Sequence, residues 1–365
     1  MSKYSVPVVI IGLLLICGCG LDSVTDSENH PPIIEALTAG PPIVLTGRAT
    51  TVTCLVTDED DDQISYVWSA SGGSITENGE SITWTAPAVP CTCVISVSVS
   101  DGSGESDADS LAVPVLEPVD PGEAVSVLVL DHPPAWALAF WDRLVDEYSQ
   151  YGNTEISIDY LSLAHSGITY DELLSSGAEV ILFSQSPTAV CTEDEIQAVS
   201  WYVQQGYGLF VTGGTLRPSE HWGLVSLLGY SSAARGQVCY ACVSSDAIEI
   251  IDEHSELFRD IASYETSSKI IYSGGIYGGD DLHMRVREDW QDALVDPNAE
   301  IVAFILNSAS WGDHSEPLCS PISCVNEPSY RAVFAGHSPA DYTHATSDDY
   351  QFYYNALVFC ADRSP

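Results

Sequence analysis

Three sets of residues in this chain have types and spacings that chemistry can use. Asp58, Asp60 and Asp62 alternate within a run of five consecutive acids, 58–62. A hard cation such as calcium takes several oxygens at this spacing. A solvated turn in which like charges are held apart by water accounts for the same residues. Cys239-Tyr240-Ala241-Cys242, taken with Cys319 and Cys324, supplies four thiols. Tetrahedral zinc is bound by such a set, whereas in an oxidising compartment the same thiols become local disulfides. The third set follows apolar runs that read as strands: Asp131 and His132, Ser184 and Gln185, Thr212-Gly213-Gly214-Thr215, and His337. Ligands of open α/β sheets sit beyond the carboxyl ends of the strands, so these residues are candidate ligand contacts. Ordinary loop chemistry is the competing explanation, Gly213-Gly214 serving as a tight turn.

Charge narrows the partners. Acidic residues number 52 against 11 basic ones, a formal net charge of −41, and Lys3 and Lys269 are the only lysines. Such a surface repels nucleic acid and anionic headgroups. Beyond Cys17 and Cys19 there are nine cysteines. Cys54, Cys93, Cys191, Cys239, Cys242, Cys319, Cys324 and Cys360 are disulfide candidates, and an odd total leaves at least one unpaired or bridging two chains.

The elements that must position these residues fall into five segments. Residues 1–18 read as an export signal: Lys3, then an apolar run from Val6 to Ile16 too short to span a bilayer. Residues 19–31 form a polar tether. Residues 32–117 alternate apolar and polar positions at 50–56, 64–68, 81–84, 93–99 and 109–115. Short strands without helical period predict an all-β sandwich. Residues 118–124 are a Pro-rich linker. From 125 to 363 the period changes. Strands are expected at 125–130, 155–161, 179–183, 208–211, 269–272, 300–306 and 331–335. Helices are expected at 135–151, 170–176, 192–205 and 347–359, the third opened by a capping-box pattern from Thr192. This alternation predicts a parallel sheet covered on both faces, an α/β three-layer domain of flavodoxin-like type.

Three resemblances add to this reading. Ile16-Cys17-Gly18-Cys19 resembles the bacterial lipobox, which implies cleavage before Cys19 and lipid on that cysteine. Gly20 in the next position disfavours retention at an inner membrane under the known sorting rules. Asn29-His30-Pro31-Pro32-Ile33-Ile34, Thr57 to Asp62, Tyr66-Val67-Trp68 and Val99-Ser100-Asp101-Gly102 resemble bacterial surface Ig-like repeats of the PKD and cadherin-like sort. The PKD hallmark Trp-Asp-Phe-Gly-Asp-Gly is absent. The Ig-like resemblance implies a pinned sandwich in which Trp68 packs on a Cys54–Cys93 bridge, with Cys91 as the alternative partner. The second half resembles the class I glutamine-amidotransferase-like superfamily, and more narrowly its trehalose-utilisation-like branch. The resemblance rests on Ala178 to Ser184, Glu193 to Val203, Gly206 to Gly214, Arg331 to Gly336 and Tyr354 to Leu357. Enzymes of that superfamily place a cysteine on the turn that here reads Thr212 to Thr215, where no cysteine stands.

The expectation is therefore an exported lipoprotein, held on the cell envelope with the outer membrane or cell surface favoured. Its Ig-like spacer presents an amidotransferase-like domain that binds an envelope protein or a glycan, without catalysis. The alternative is an extracytoplasmic hydrolase of glycans or peptides built around Asp131, His132, Thr215 and His337. Calcium is the one cofactor the residues suggest, and nucleic acid is excluded.

Overall fold

The structure is a computed structural model. It describes residues 29–76, 79–120, 122–130, 135–161, 167–184, 191–213, 215–216, 221, 223–231, 243–252, 255–261, 270–278, 294–306, 319–336 and 345–362.

The first domain is a β-sandwich of eight strands: β1 (Ile33–Gly40), β2 (Val44–Leu45), β3 (Ala49–Thr57), β4 (Ser65–Ala70), β5 (Ser74–Thr76), β6 (Ser81–Thr85), β7 (Cys91–Ser100) and β8 (Ser106–Leu116). They form two four-stranded sheets, β1-β3-β6-β5 and β2-β8-β7-β4. Side chains alternate across a strand, so Cys93, Ile95, Val97 and Val99 of β7 enter the core while Val94 faces solvent. The five expected strands all form. β1 escapes a pattern search because a register shift between Ile34 and Ala36 breaks its alternation. β2 and β5 are too short to carry a period.

The expected pin is not there. Cys54 and Cys93 are free thiols. Cys54 packs with Val97 and Val99, whereas Cys93 packs with Val52, Trp84 and Val113. Residues 93 and 97 of one strand are about 13 Å apart, too far for one cysteine to serve both levels. The buried tryptophan is also a different one. Trp84 of β6 is fully enclosed and donates its indole N–H to Gly72 O at 2.9 Å. Trp68 lies half-buried at the margin of both clusters.

The second domain comprises β9 (Val125–Leu130), α1 (Ala135–Asp146), β10 (Ile156–Leu161), α2 (Tyr170–Ser176), β11 (Val180–Phe183), α3 (Glu193–Gln204), β12 (Gly208–Thr212), α4 (Leu224–Leu227), β13 (Val243–Ile250), β14 (Ile270–Gly278), β15 (Ala299–Leu306), β16 (Cys319–Asn326), β17 (Arg331–Ala335) and α5 (Ser347–Cys360). Among the described residues the sheet has nine strands in the order β10-β9-β11-β12-β17-β16-β15-β13-β14. The first five are mutually parallel, as expected. The other four extend the sheet by antiparallel pairing, so it is mixed rather than all parallel. Residues 327–330 alone join β16 to β17, a connection too short for the crossover that a parallel pair requires. β16 contains Pro321, which argues against a strand in sequence. The first helix also stops sooner than expected, at Asp146, and Tyr148–Gln150 tightens into a 3-10 turn.

Alternation across the parallel strands divides the interior into two cores. Val125, Val127, Val129, Leu182, Phe210 and Val333 pack under α1 and α5. Leu128, Leu130, Ile181, Phe183, Leu209 and Val211 pack under α2, α3 and α4. Every α5 residue from Asp349 to Cys360 is buried. Its approach to the sheet is close enough that a Cβ on Gly208 would collide with the Cys360 carbonyl.

The sandwich is docked on the α/β domain. Ile43 and Leu45 contribute to the core under α2 and α3. Gln205, almost fully buried, accepts from Leu45 N–H at 2.9 Å through Oε1 and donates through Nε2 to Ala49 O at 3.4 Å. Tyr170 Oη donates to Ile43 O at 2.9 Å, and Arg48 Nη1 to Ser329 O at 3.3 Å. Gly206 sits at φ +109° against the Arg48 guanidinium, a place with neither the backbone angle nor the room for a side chain.

Candidate functional site

The chain leaves β9 for β10 on one side of the sheet and returns to β11 on the other side of β9. The order β10-β9-β11-β12-β17 is the 2-1-3-4-5 order of flavodoxin-like sheets. The ligand crevice of such sheets opens beyond the strand ends at this reversal. Three sequence-predicted residues, Ser184, Thr212 and Thr215, come together here, all buried.

Each is held by a named partner. Trp141 of α1 donates its indole N–H to Ser184 Oγ at 2.8 Å. Thr212 Oγ1 donates to Phe183 O at 3.1 Å and Thr215 Oγ1 to the same carbonyl at 3.4 Å. The carbonyl ending β11 thus receives both hydroxyls from the turn after β12. Thr215 N–H closes that turn on Thr212 O at 3.4 Å, with Gly213 inside it.

His221, which the spacing of residues does not reveal, completes the arrangement. It is buried. Cys191 N–H donates to its Nε2 at 2.8 Å, and its Nδ1 lies 2.6 Å from Thr215 O. An amide N–H can only donate and a carbonyl can only accept. The ring is therefore the neutral tautomer with its proton on Nδ1. Its edge also meets Phe183, with centroids 5.9 Å apart. One imidazole ties the turn after β12 to the residue before Thr192, which caps α3. Thr192 and Glu195 form the expected capping box, and Glu195 Oε1 reaches on to accept from Ile168 N–H at 2.9 Å.

General-base catalysis needs an imidazole nitrogen directed at the proton it removes. Both nitrogens of His221 are engaged by backbone, and the hydroxyls of Thr212 and Thr215 donate to backbone. The described part of the site is a buried floor whose threonine and histidine side chains are bonded to backbone. Asp131, His132, Gln185, Gly214 and His337 lie outside the described residues, as do Cys19, Cys239 and Cys242.

The remaining candidates separate. Cys319 opens β16 and Cys324 lies five residues along the same strand. An extended strand puts them about 16 Å apart, which excludes both a shared zinc and a bridge between them. Cys191 and Cys360, two further disulfide candidates, belong to cores on opposite faces of the sheet and do not bridge each other. Burial pushes the Cys324 and Cys360 thiols up, so neither is poised as a nucleophile.

In the acidic loop, Asp58 Oδ1 accepts from Asp60 N–H at 2.9 Å and Asp62 N–H at 3.2 Å. Asp60 Oδ2 instead takes His30 N–H at 2.7 Å, a bond that draws its carboxyl below the usual range. Asp58 Oδ2 is buried without a hydrogen-bond partner, a feature that would suit a cation. Even so, among the described residues no group of three or more His, Cys, Asp or Glu side chains is arranged to hold a metal ion.

Residues 29–113 match the family described as Bacterial Ig domain. Among solved structures, the chain is similar to a Thua-like protein from Bacteroides uniformis at 13% identity and TM-score 0.41, covering 67% of this chain and 94% of that one. A Thua-like protein from Parabacteroides merdae follows at 9% identity and TM-score 0.42, covering 66% and 91%. The PKD1 domain of Vibrio anguillarum Epp is similar at 20% identity and TM-score 0.21, over 25% of this chain and 100% of that one. No curated protein matches the chain in sequence. Among the described residues no helix is long and apolar enough to cross a membrane.

Proposed function

We propose that this chain is an exported lipoprotein of the cell envelope, anchored through Cys19, whose α/β domain binds a ligand at the β9–β11 reversal without transforming it. The observation that carries the binding reading is the state of His221. A histidine bonded at both nitrogens to buried backbone serves as a strut that shapes the floor, and a shaped floor at a strand-order reversal is where ligands of such sheets sit. The match of residues 29–113 to a bacterial Ig domain supports a surface or extracellular setting. The apolar run ending in Ile16-Cys17-Gly18-Cys19 supports the lipid anchor. An envelope protein or a glycan is the class of ligand this setting offers.

Three measurements test the reading. Growth with an alkyne-bearing fatty acid is expected to label the chain and to leave Cys19→Ser unlabelled and released from the membrane fraction; equal labelling of both sinks the anchor. The purified chain is expected to turn over neither ester, peptide nor glycoside reporters. Turnover that disappears in Thr215→Ala or His337→Ala would replace the binding reading with the hydrolase reading. Millimolar calcium is expected to leave the melting temperature unchanged, and a rise abolished by Asp58→Asn would restore the calcium loop.

A further inference from the structure

Cys91 and Cys93 stand on one face of β7, and their sulfurs are 3.4 Å apart. Cys91 is exposed and Cys93 is buried. Positions i and i+2 of a strand have Cα atoms about 6.6 Å apart, inside the range that a disulfide bridges. Cys54, the partner expected for either, packs instead beside Val97 and Val99. The two thiols thus have each other as neighbours, one open to reagents in solvent and one not.

We propose that Cys91 and Cys93 are a redox pair, which closes to a disulfide within β7 by exchange with a small-molecule disulfide and reopens with a small thiol. In the first step the Cys91 thiolate attacks one sulfur of the reagent, and the other half leaves as a thiol. Cys93 then gives up its proton to solvent and attacks the Cys91 sulfur, releasing the second half. The protein loses two hydrogens and one disulfide becomes two thiols. The order follows from exposure, and the environment of Cys93 agrees with it. Burial holds the Cys93 thiol up, and the hydrogen bond and charge of Cys91 add to this. With Cys91 in a mixed disulfide, Cys93 is the thiol that already lies beside its sulfur. Exposed disulfides are the labile, reversible class. The pair lies at the docked end of the sandwich: Cys91 is in register with Val115, which pairs on its other side with Val44 of the strand beside Leu45.

The test uses the full chain, treated with oxidised glutathione, quenched in acid, then alkylated in denaturant and cut after glutamate. Cleavage after Glu80 and Glu105 yields a peptide whose only cysteines are Cys91 and Cys93. That peptide is expected without alkyl groups and two hydrogens lighter, and dithiothreitol before alkylation should restore two alkyl groups. Cys93→Ser is expected to stop at a stable glutathione adduct on Cys91. Two alkyl groups after the oxidant, an adduct persisting on Cys91 of the unsubstituted chain, or a bridge from this peptide to another cysteine would each overturn the proposal.

Discussion

The two domains differ in how many polar side chains they bury. Among the described residues the sandwich buries two polar side chains, Thr50 and Asp101. Thr50 Oγ1 donates to Pro41 O at 2.7 Å, and Asp101 Oδ1 gathers the amides of Ser103, Gly104 and Glu105. Thr50 and the Asp101 turn are local fastenings, and only Asp101 Oδ2, which accepts from Asn29 Nδ2 at 2.7 Å, reaches a distant segment. The α/β domain buries side chains that tie segments far apart in sequence. Gln351 Nε2 donates to Tyr151 O at 2.8 Å, Asn355 Nδ2 to Arg259 O at 2.8 Å, and His221 joins Cys191 to Thr215. A sandwich satisfies its backbone through its own ladders and needs only apolar packing between its sheets. A sheet covered by helices leaves long connections at its strand ends, and their buried carbonyls and amides must find partners. Among the described residues the buried polar side chains therefore mark where this protein fixes loops, and Ser184, Thr212, Thr215 and His221 gather at the β9–β11 reversal.

Substitutions can break that comparison. Trp84→Ala should have the largest effect, about 4 kcal/mol, because it empties the centre of the sandwich core; chemical denaturation would measure it. A loss below about 1 kcal/mol would mean that the sandwich does not rest on apolar packing. In the α/β domain, His221→Ala leaves Cys191 N–H and Thr215 O buried without their partner and should cost about 3 kcal/mol. His221→Phe should fare no better, since filling the volume supplies no hydrogen bonds.

The pH dependence sharpens the contrast further. Burial, opposed by hydrogen bonds from Thr346, pushes the Asp349 carboxyl up to about 6. The folded state then holds a proton that the unfolded chain has released. Stability should fall as pH rises from the ordinary aspartate range through 6 and level off above it, by roughly 2–3 kcal/mol. Asp349→Asn should flatten this slope, and an unchanged slope would assign it to other groups. The smallest expected effect is at the junction. Gln205→Ala unpairs Leu45 N–H and Ala49 O, costs about 2 kcal/mol, and should split a single thermal transition into two.

Much of the scaffold was legible from periodicity. The five alternating runs of the sandwich became β3, β4, β6, β7 and β8, and the switch of period beyond the linker announced the α/β domain. Of the antiparallel extension, β14 and β15 were expected as strands, whereas β13, which is half polar, and β16, which carries Pro321, were not legible. Of the candidate site, Ser184, Thr212 and Thr215 were found because they follow apolar strands. Trp141 and His221 were not, because neither stands at a strand end and their partners lie 43 and 30 residues away.

What the sequence by itself determined is which residues face inward and where strands end, since both follow from local pattern and chain geometry. It also carried the acidic charge, the apolar N-terminal run and the Ile16-Cys17-Gly18-Cys19 motif. That Cys54 and Cys93 sit in different clusters was decided only by the tertiary structure, because a bridge between sheets depends on the level at which their strands meet. The docking of the sandwich, the tautomer of His221 and its engagement by backbone at both nitrogens were decided there too. Each depends on contacts between segments whose separation along the chain no local pattern encodes.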